Sequence, residues 1–283
     1  MVLDESFEDL NLTNAQTHDN PWRLYATESA SANQSTWIDT NVAFHGHASL
    51  GLRYSDGGGL FGLANRGLGH EGLVFRADRE YEGFFFASAT EPVTFTVAIV
   101  DYTTGAQLGT DSVHYQGGSG WSRLNFTLKS NATTICVDAN RSQVDCGPGN
   151  QPCVQCGGEF VIGLSEPGHA HVDYIFLEPG AWGRYEGLSV LASAATALKT
   201  MGIKVIRLGG SFDRDPSQAW KNWRGPAWLR PSLGDSWRAA YISGWGPFEM
   251  AALCLKLGIE MMMTTWGGMK PEDYADLVEY VMG

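Results

Sequence analysis

Two short apolar runs, Ile203-Lys-Val-Ile-Arg-Leu208 and Ile259-Glu-Met-Met-Met-Thr-Thr265, decide how the last third of this sequence is read. Each directly follows a glycine, Gly202 or Gly258, that ends a helical stretch. Ahead of the first run, Leu188, Leu191, Ala195, Leu198 and Met201 recur every three or four residues, the spacing of one helix face. Ahead of the second, Phe248 through Leu257 is read as helix. Pro271 opens a last helix with Tyr274, Leu277, Val278 and Val281 on one side. The order helix–strand–helix–strand–helix implies parallel strands joined by right-handed crossovers. Two parallel strands cannot bury both faces of a sheet. The region is therefore expected to be part of something larger, with the next strand due where the sequence stops at Gly283.

Upstream of Pro179 the period changes from helical to alternating. Ala48-Ser-Leu-Gly-Leu-Arg-Tyr54, Tyr81-Glu-Gly-Phe-Phe-Phe-Ala87, Val93-Thr-Phe-Thr-Val-Ala-Ile-Val100, Ser122-Arg-Leu-Asn-Phe-Thr-Leu128 and Val172-Asp-Tyr-Ile-Phe-Leu177 are short runs between Gly, Asn, Asp and Ser clusters. That spacing predicts an antiparallel β-sandwich over residues 1–179, with one face of each strand inward. Residues 180–283 form the second region.

Composition excludes some partners. The chain of 283 residues is 43% hydrophobic and 18% charged, an ordinary globular balance. A net charge of −12 repels phosphate backbones, so no nucleic-acid partner is expected. No apolar run reaches the ~18 residues needed to span a bilayer. The N-terminus, Met1-Val-Leu-Asp-Glu-Ser6, has neither a basic n-region nor an apolar h-region.

Two features nevertheless point to an extracellular protein. Asn-x-Ser/Thr occurs at Asn11, Asn33, Asn125, Asn131 and Asn140, more often than chance allows among eleven asparagines. Cys136, Cys146, Cys153 and Cys156 share one Gly/Pro/Asn-rich stretch, while Cys254 stands alone in an apolar helix. Cys-x-x-Cys at 153–156 could hold zinc, but the nine-residue gap in the other pair and the adjacent sequons favour disulfides, with three pairings open. No metal or cofactor is expected. A secreted body without a leader suggests that residues precede Met1 in the natural protein.

In a (β/α) barrel, function sits on the loops after strand C-termini. The stretch 209–245 is such a loop, and its 37 residues far exceed the usual βα connection of about 2–6. It carries Trp220, Trp223, Trp228, Trp237 and Trp245, half of the ten tryptophans in the chain, and Trp266 follows the second run. An indole offers a flat apolar face and one N–H donor, which suits the C–H face and hydroxyl edge of a sugar. Trp223, Trp237 and Trp266 are expected to line a pocket, and Trp220, Trp228 and Trp245 to pack the loop. Gly209-Gly210 at a strand end allows close approach of backbone to ligand. In the sandwich, Trp22, Trp37, Tyr54 and Trp121 are candidates for a sugar platform or for the core. Glu249 lies in a helix and is expected to cap it or to pair with an arginine.

The series Val205-Ile-Arg-Leu-Gly-Gly-Ser-Phe212, Trp223-Arg-Gly-Pro226, Leu229-Arg-Pro231, Trp237 and Gly244-Trp-Gly-Pro-Phe-Glu-Met250, followed by Leu257-Gly258, resembles glycoside hydrolase family 51, the α-L-arabinofuranosidases. The likeness in order and spacing covers about 180–283. The closing His171-Val-Asp-Tyr-Ile-Phe-Leu-Glu-Pro179 resembles the end of the carbohydrate-binding-module-like sandwich found in eukaryotic members. The resemblance implies a jelly-roll sandwich followed by an incomplete (β/α)8 TIM barrel. It implies a retaining hydrolase that removes terminal non-reducing α-L-arabinofuranosyl groups from arabinan, arabinoxylan or arabinosylated glycan. Ser211, beside the Gly-Gly turn, and Trp237 are expected near the arabinose subsite. The family's acid/base and nucleophile lie on later strands, so neither catalytic carboxylate is expected among these residues, and the chain by itself should be inactive. A non-catalytic carbohydrate-binding module, or a xylanase- or glucanase-like barrel, are the alternatives.

Overall fold

The computed structural model describes residues 7, 21–27, 34–55, 58–67, 70–145, 153–208, 220–231, 244–264 and 268–283. The chain divides into two compact units, Met1–Trp182 and Gly183–Gly283.

The first unit is a β-sandwich. In chain order its main strands are β1 (Trp22–Ala26), β2 (Gln34–Asp39), β3 (Ser49–Tyr54), β4 (Phe61–Asn65), β5 (Glu80–Ser88), β6 (Val93–Asp101), β7 (Gln107–Tyr115) and β8 (Ser122–Lys129). Three two-residue strands follow, β9 (Cys136–Val137), β10 (Gln143–Val144) and β11 (Gln155–Cys156), and then β12 (Gly158–Leu164) and β13 (Gly168–Pro179). One five-stranded sheet runs β1-β4-β12-β6-β7 and the other β2-β3-β13-β5-β8. Every pairing within them is antiparallel.

Alternation drives this arrangement. Phe95, Val97 and Ile99 of β6 and Phe160, Ile162 and Leu164 of β12 point inward from one sheet. Leu50 and Leu52 of β3, Phe85 of β5 and Val172 and Ile175 of β13 meet them from the other. All eleven are at most 1% exposed, as expected of inner-face residues in a sheet-on-sheet core. Trp22 and Tyr54, offered above as platform candidates, belong to this core.

The small sheet β10-β9-β11 is tied by a disulfide between Cys136 and Cys156, which are direct cross-strand partners. Closing 20 residues of chain stabilises by roughly 3 kcal/mol in the chain-entropy account. Cys153 is disulfide-bonded as well; Cys146 lies outside the described residues. Asn125, Asn131 and Asn140 are exposed; Asn11 and Asn33 lie outside the described residues.

The second unit pairs β14 (Arg184–Tyr185) with β15 (Leu188–Leu191), then continues through α1 (Ala192–Thr200), β16 (Val205–Leu208), α2 (Pro247–Leu257), β17 (Glu260–Met263) and α3 (Pro271–Met282). The stripe beginning at Leu188 is thus a strand before it is a helix: Leu188–Leu191 alternates in burial and the helix starts at Ala192. β16 and β17 are parallel, in register from Val205↔Glu260 to Leu208↔Met263. Ala195, Leu253 and Leu257 form the buried centre, with Leu198, Trp245, Met250 and Ile259 packed around it. Cys254 is a buried free thiol, its pKa pushed up by burial and by Glu260. Among the described residues the strands of this unit do not form a closed barrel.

Candidate functional site

Of the residues expected to line the sugar pocket, Ser211, Trp237, Trp266, Gly209 and Gly210 lie outside the described residues. Trp223 is described. It ends a short 3-10 turn, Trp220–Trp223, and is only 7% exposed. Its indole lies against Gly246: a Cβ at that glycine would sit 2.2 Å from Cε3 of the ring. Gly246 is also the N-cap of α2, so the indole and the helix start are fitted to each other.

Arg230 organises this corner. Its guanidinium lies 5.9 Å from the Trp223 ring centroid. Nη1 donates to the carbonyl of Gly244 at 2.7 Å, while Nε and Nη2 donate to that of Gly225 at 3.2 and 2.9 Å. Nη2 also pairs with Oε1 of Glu249. The other carboxylate oxygen of Glu249 accepts the backbone N–H of Gly246 at 2.9 Å, closing a capping box at the head of α2. Glu249 therefore both caps and pairs. A cation that is only 5% exposed needs such satisfaction, because an unpaired buried charge is costly.

Trp220 serves packing: it is 4% exposed, donates Nε1–H to the carbonyl of Asp273 at 3.0 Å and lies 5.2 Å from the Tyr280 ring. Lys221 reaches from the same turn to Asp273 and Asp276, each at 2.6 Å. That pairing raises the Lys221 pKa and lowers that of Asp273. Lys221, Arg224, Leu229, Arg230 and Tyr280 help to line an open surface pocket of about 400 Å³. It can receive a hydroxylated or anionic group. The acidic side chains around it, Glu249, Asp273 and Asp276, are each engaged by a cation.

On the sandwich, Trp37 and Trp121 are part-exposed. Both sit by the outer face of the β2-β3-β13-β5-β8 sheet, Trp37 beside His169 and His171 and Trp121 beside Phe44. The two histidines were not singled out by sequence. Their signal was present as His169-x-His171, one face of a strand, but their partners are distant in the chain. Among the described residues no group of three or more His, Cys, Asp or Glu is placed to hold a metal ion. No helix among them is long and apolar enough to cross a membrane.

No protein-family model matches this sequence, and no curated protein matches it. Among solved structures, an arabinose-bound family 51 α-L-arabinofuranosidase is similar over 99% of this chain and 44% of its own, with a TM-score of 0.69 and 16% identity. A family 4 carbohydrate-binding module matches 63% of this chain and 99% of its own at TM-score 0.39 and 13% identity. The linked family 22 module and family 10 catalytic module of Clostridium thermocellum xylanase 10B, with xylohexaose bound, match 96% of this chain and 48% of that one at TM-score 0.38 and 12% identity. Only the first is close enough to show a shared fold. The chain has the fold of that arabinofuranosidase structure over less than half of the latter's length.

Proposed function

We propose that the chain is part of a retaining glycosidase of the α-L-arabinofuranosidase type. Residues 1–179 are its carbohydrate-binding-module-like sandwich, and 180–283 supply the first βα units of a (β/α)8 barrel. The observation that carries this reading is the likeness to the arabinose-bound structure, which runs over 99% of the chain. The second unit adds physical support. Its parallel pair β16–β17 leaves Val205 51% and Met262 55% exposed, and parallel sheets are ordinarily covered on both faces. Further strands and helices on this unit would cover them.

In this reading one carboxyl group protonates the leaving oxygen and a second, about 5 Å away, attacks the anomeric carbon. Both stand on later strands of the barrel. Ser211, Trp223, Trp237 and Trp266, with the Gly209-Gly210 turn, form the wall of the pocket, and Arg230 with Glu249 fixes the wall in place. The substrate is a terminal non-reducing α-L-arabinofuranosyl group on arabinan, arabinoxylan or an arabinosylated glycan. The site of action is extracellular, a reading supported by the Cys136–Cys156 disulfide and the exposed sequons.

Hydrolysis of an aryl α-L-arabinofuranoside tests the proposal. A chain extended through the remaining barrel strands should turn it over, while residues 1–283 should not. Turnover by 1–283 alone would place the reacting carboxylates within this chain. An extended chain that cleaves xylan or glucan internally and ignores the arabinoside would move it to another glycosidase class.

A further inference from the structure

The outer face of the sandwich carries a cluster that neither the core nor the proposed hydrolysis uses. Strand pairing places Trp37 directly opposite Gly51, and Gly51 directly opposite His171. Arg53 is opposite His169 in the next row of the same face. The alternate residues of β3, Leu50, Leu52 and Tyr54, point into the core. Gly51 has a clear steric role here: a Cβ on it would sit 2.1 Å from Cε2 of Trp37. The indole therefore lies down on the sheet over the glycine, one face against backbone, and remains part-exposed. A tryptophan laid flat on a glycine is a platform for a flat apolar ligand face.

Polar groups surround that platform. The His171 ring nitrogen Nε2 lies 3.0 Å from Oδ2 of Asp39, and the ring stands edge-on to the indole at 5.7 Å. The exposed His169 ring is 5.4 Å from the indole on the same side. Burial, the Arg53 charge and His171 together hold the His169 pKa below the ordinary imidazole range. Its ring is thus neutral near pH 7, with one nitrogen able to donate and the other to accept. The exposed Arg53 guanidinium lies 5.9 Å from the Trp37 centroid and adds a fork of N–H donors.

We propose that this cluster is a saccharide-binding site of the sandwich itself. A sugar ring stacks its C–H face on Trp37, and Arg53, His169 and the Asp39–His171 pair hydrogen-bond its hydroxyls. An apolar peptide would leave that polar rim unpaired, at a cost for each desolvated group. A phosphate would gain only one assured cation against Asp39, on a strongly acidic chain. A neutral sugar presents the combination the site offers, one apolar face and an edge of donors and acceptors. The site needs no catalytic carboxylate, so it stands or falls separately from the hydrolytic reading.

The test is affinity electrophoresis and calorimetry of the 283-residue chain with soluble arabinoxylan and with linear arabinan. The intact chain should bind at least one of them, and Trp37→Ala should weaken that binding at least about tenfold, the loss of one ring-stacking contact. Trp182→Ala removes another exposed indole, 37% accessible, at the end of the unit and should leave affinity unchanged. No binding of either polymer by the intact chain overturns the proposal. So does undiminished affinity in Trp37→Ala, or an equal loss in Trp182→Ala. Should Trp37→Ala lose the wild-type melting transition, Arg53→Gln and His169→Gln take its place. Each removes an exposed rim group and should cost about threefold or more, and unchanged affinity in both overturns the site.

Discussion

The two units solve the problem of burying apolar surface in opposite ways. The sandwich places 27 described residues in one continuous core, from Phe7 to Leu177, and covers it with its own two sheets. The second unit buries Ala195, Leu253 and Leu257 at its centre, and leaves Leu255 83%, Val278 63%, Val281 62% and Met282 81% exposed. Antiparallel strands joined by short turns can finish a core within one stretch of chain. Parallel βα units cannot, because each contributes one slice of a structure that is stable only when many slices meet. Autonomy should accordingly belong to the first unit and not to the second.

The largest expected difference is in folding itself. Residues 1–182 expressed alone should melt in a single cooperative transition with little binding of a hydrophobic dye. Residues 183–283 alone should give a broad transition and strong dye binding, the signature of loose packing. A sharp, dye-silent transition from 183–283 would erase the distinction.

A next step down, single truncations should reproduce the contrast inside the intact chain. Phe160 is fully buried between the sheets, and Phe160→Ala should cost about 3–5 kcal/mol by chemical denaturation. Leu198 only borders the small cluster of the second unit, and Leu198→Ala should cost about 1 kcal/mol or less. Equal losses would mean that the second unit is packed as tightly as the first.

The two units also treat buried charge differently. Glu159 is fully buried, accepts from both Nε and Nη2 of Arg23 and lies 3.6 Å from Arg66. Glu159→Gln leaves both guanidinium groups without that carboxylate and should cost about 3 kcal/mol. In the second unit Arg230 keeps its bonds to the Gly225 and Gly244 carbonyls when Glu249 is neutralised, and the Glu249 side chain is 31% exposed. Glu249→Gln should therefore cost about 1 kcal/mol. A reversed order would show that the second unit depends on this one corner more than its packing implies.

What the sequence revealed follows the same divide between local and distant. Strands with one buried face announced themselves by alternation, as Ser122–Leu128 does, where Phe126 and Leu128 are buried between exposed neighbours. β12, Gly158–Leu164, is buried at every residue, so it shows no alternation and was not singled out. Leu188 and Leu191 fit a helical spacing, yet the chain pairs them back on Arg184–Tyr185; three- and four-residue spacings at the edge of a helix do not separate the two outcomes. At the second unit the tryptophans were legible as a group, but the role of each depended on neighbours such as Gly246 and Asp273, far along the chain or set by the packing of α2 and α3. On the sandwich, Trp37-x-Asp39 and His169-x-His171 each declared a shared face, and only the register across β3 brings the two faces together. Four clustered cysteines left three pairings open, and cross-strand adjacency selects Cys136 with Cys156.

The smallest effect probes the sugar platform through pH. The Asp39 carboxyl is held at about 2, against an ordinary value of 3.8, chiefly by the backbone N–H of Asn41, with His171 and the Trp37 indole N–H adding to it, against an opposing effect of burial. A folded-state value below the unfolded one means that the folded form prefers the ionised group. Its contribution is complete above about pH 4 and is lost as pH falls toward 2. The intact chain should lose stability more steeply across that window than Asp39→Asn, whose amide cannot titrate. Urea midpoints at pH 5, 3 and 2 measure the difference. Parallel declines would show that Asp39 is not held by these partners, and the ordered rim beside Trp37 would lose one of its anchors. A converging pair of curves would instead show that this edge strand, although it lies at the margin of the sheet, holds its polar groups in fixed positions, which a binding rim requires and a merely solvated edge does not.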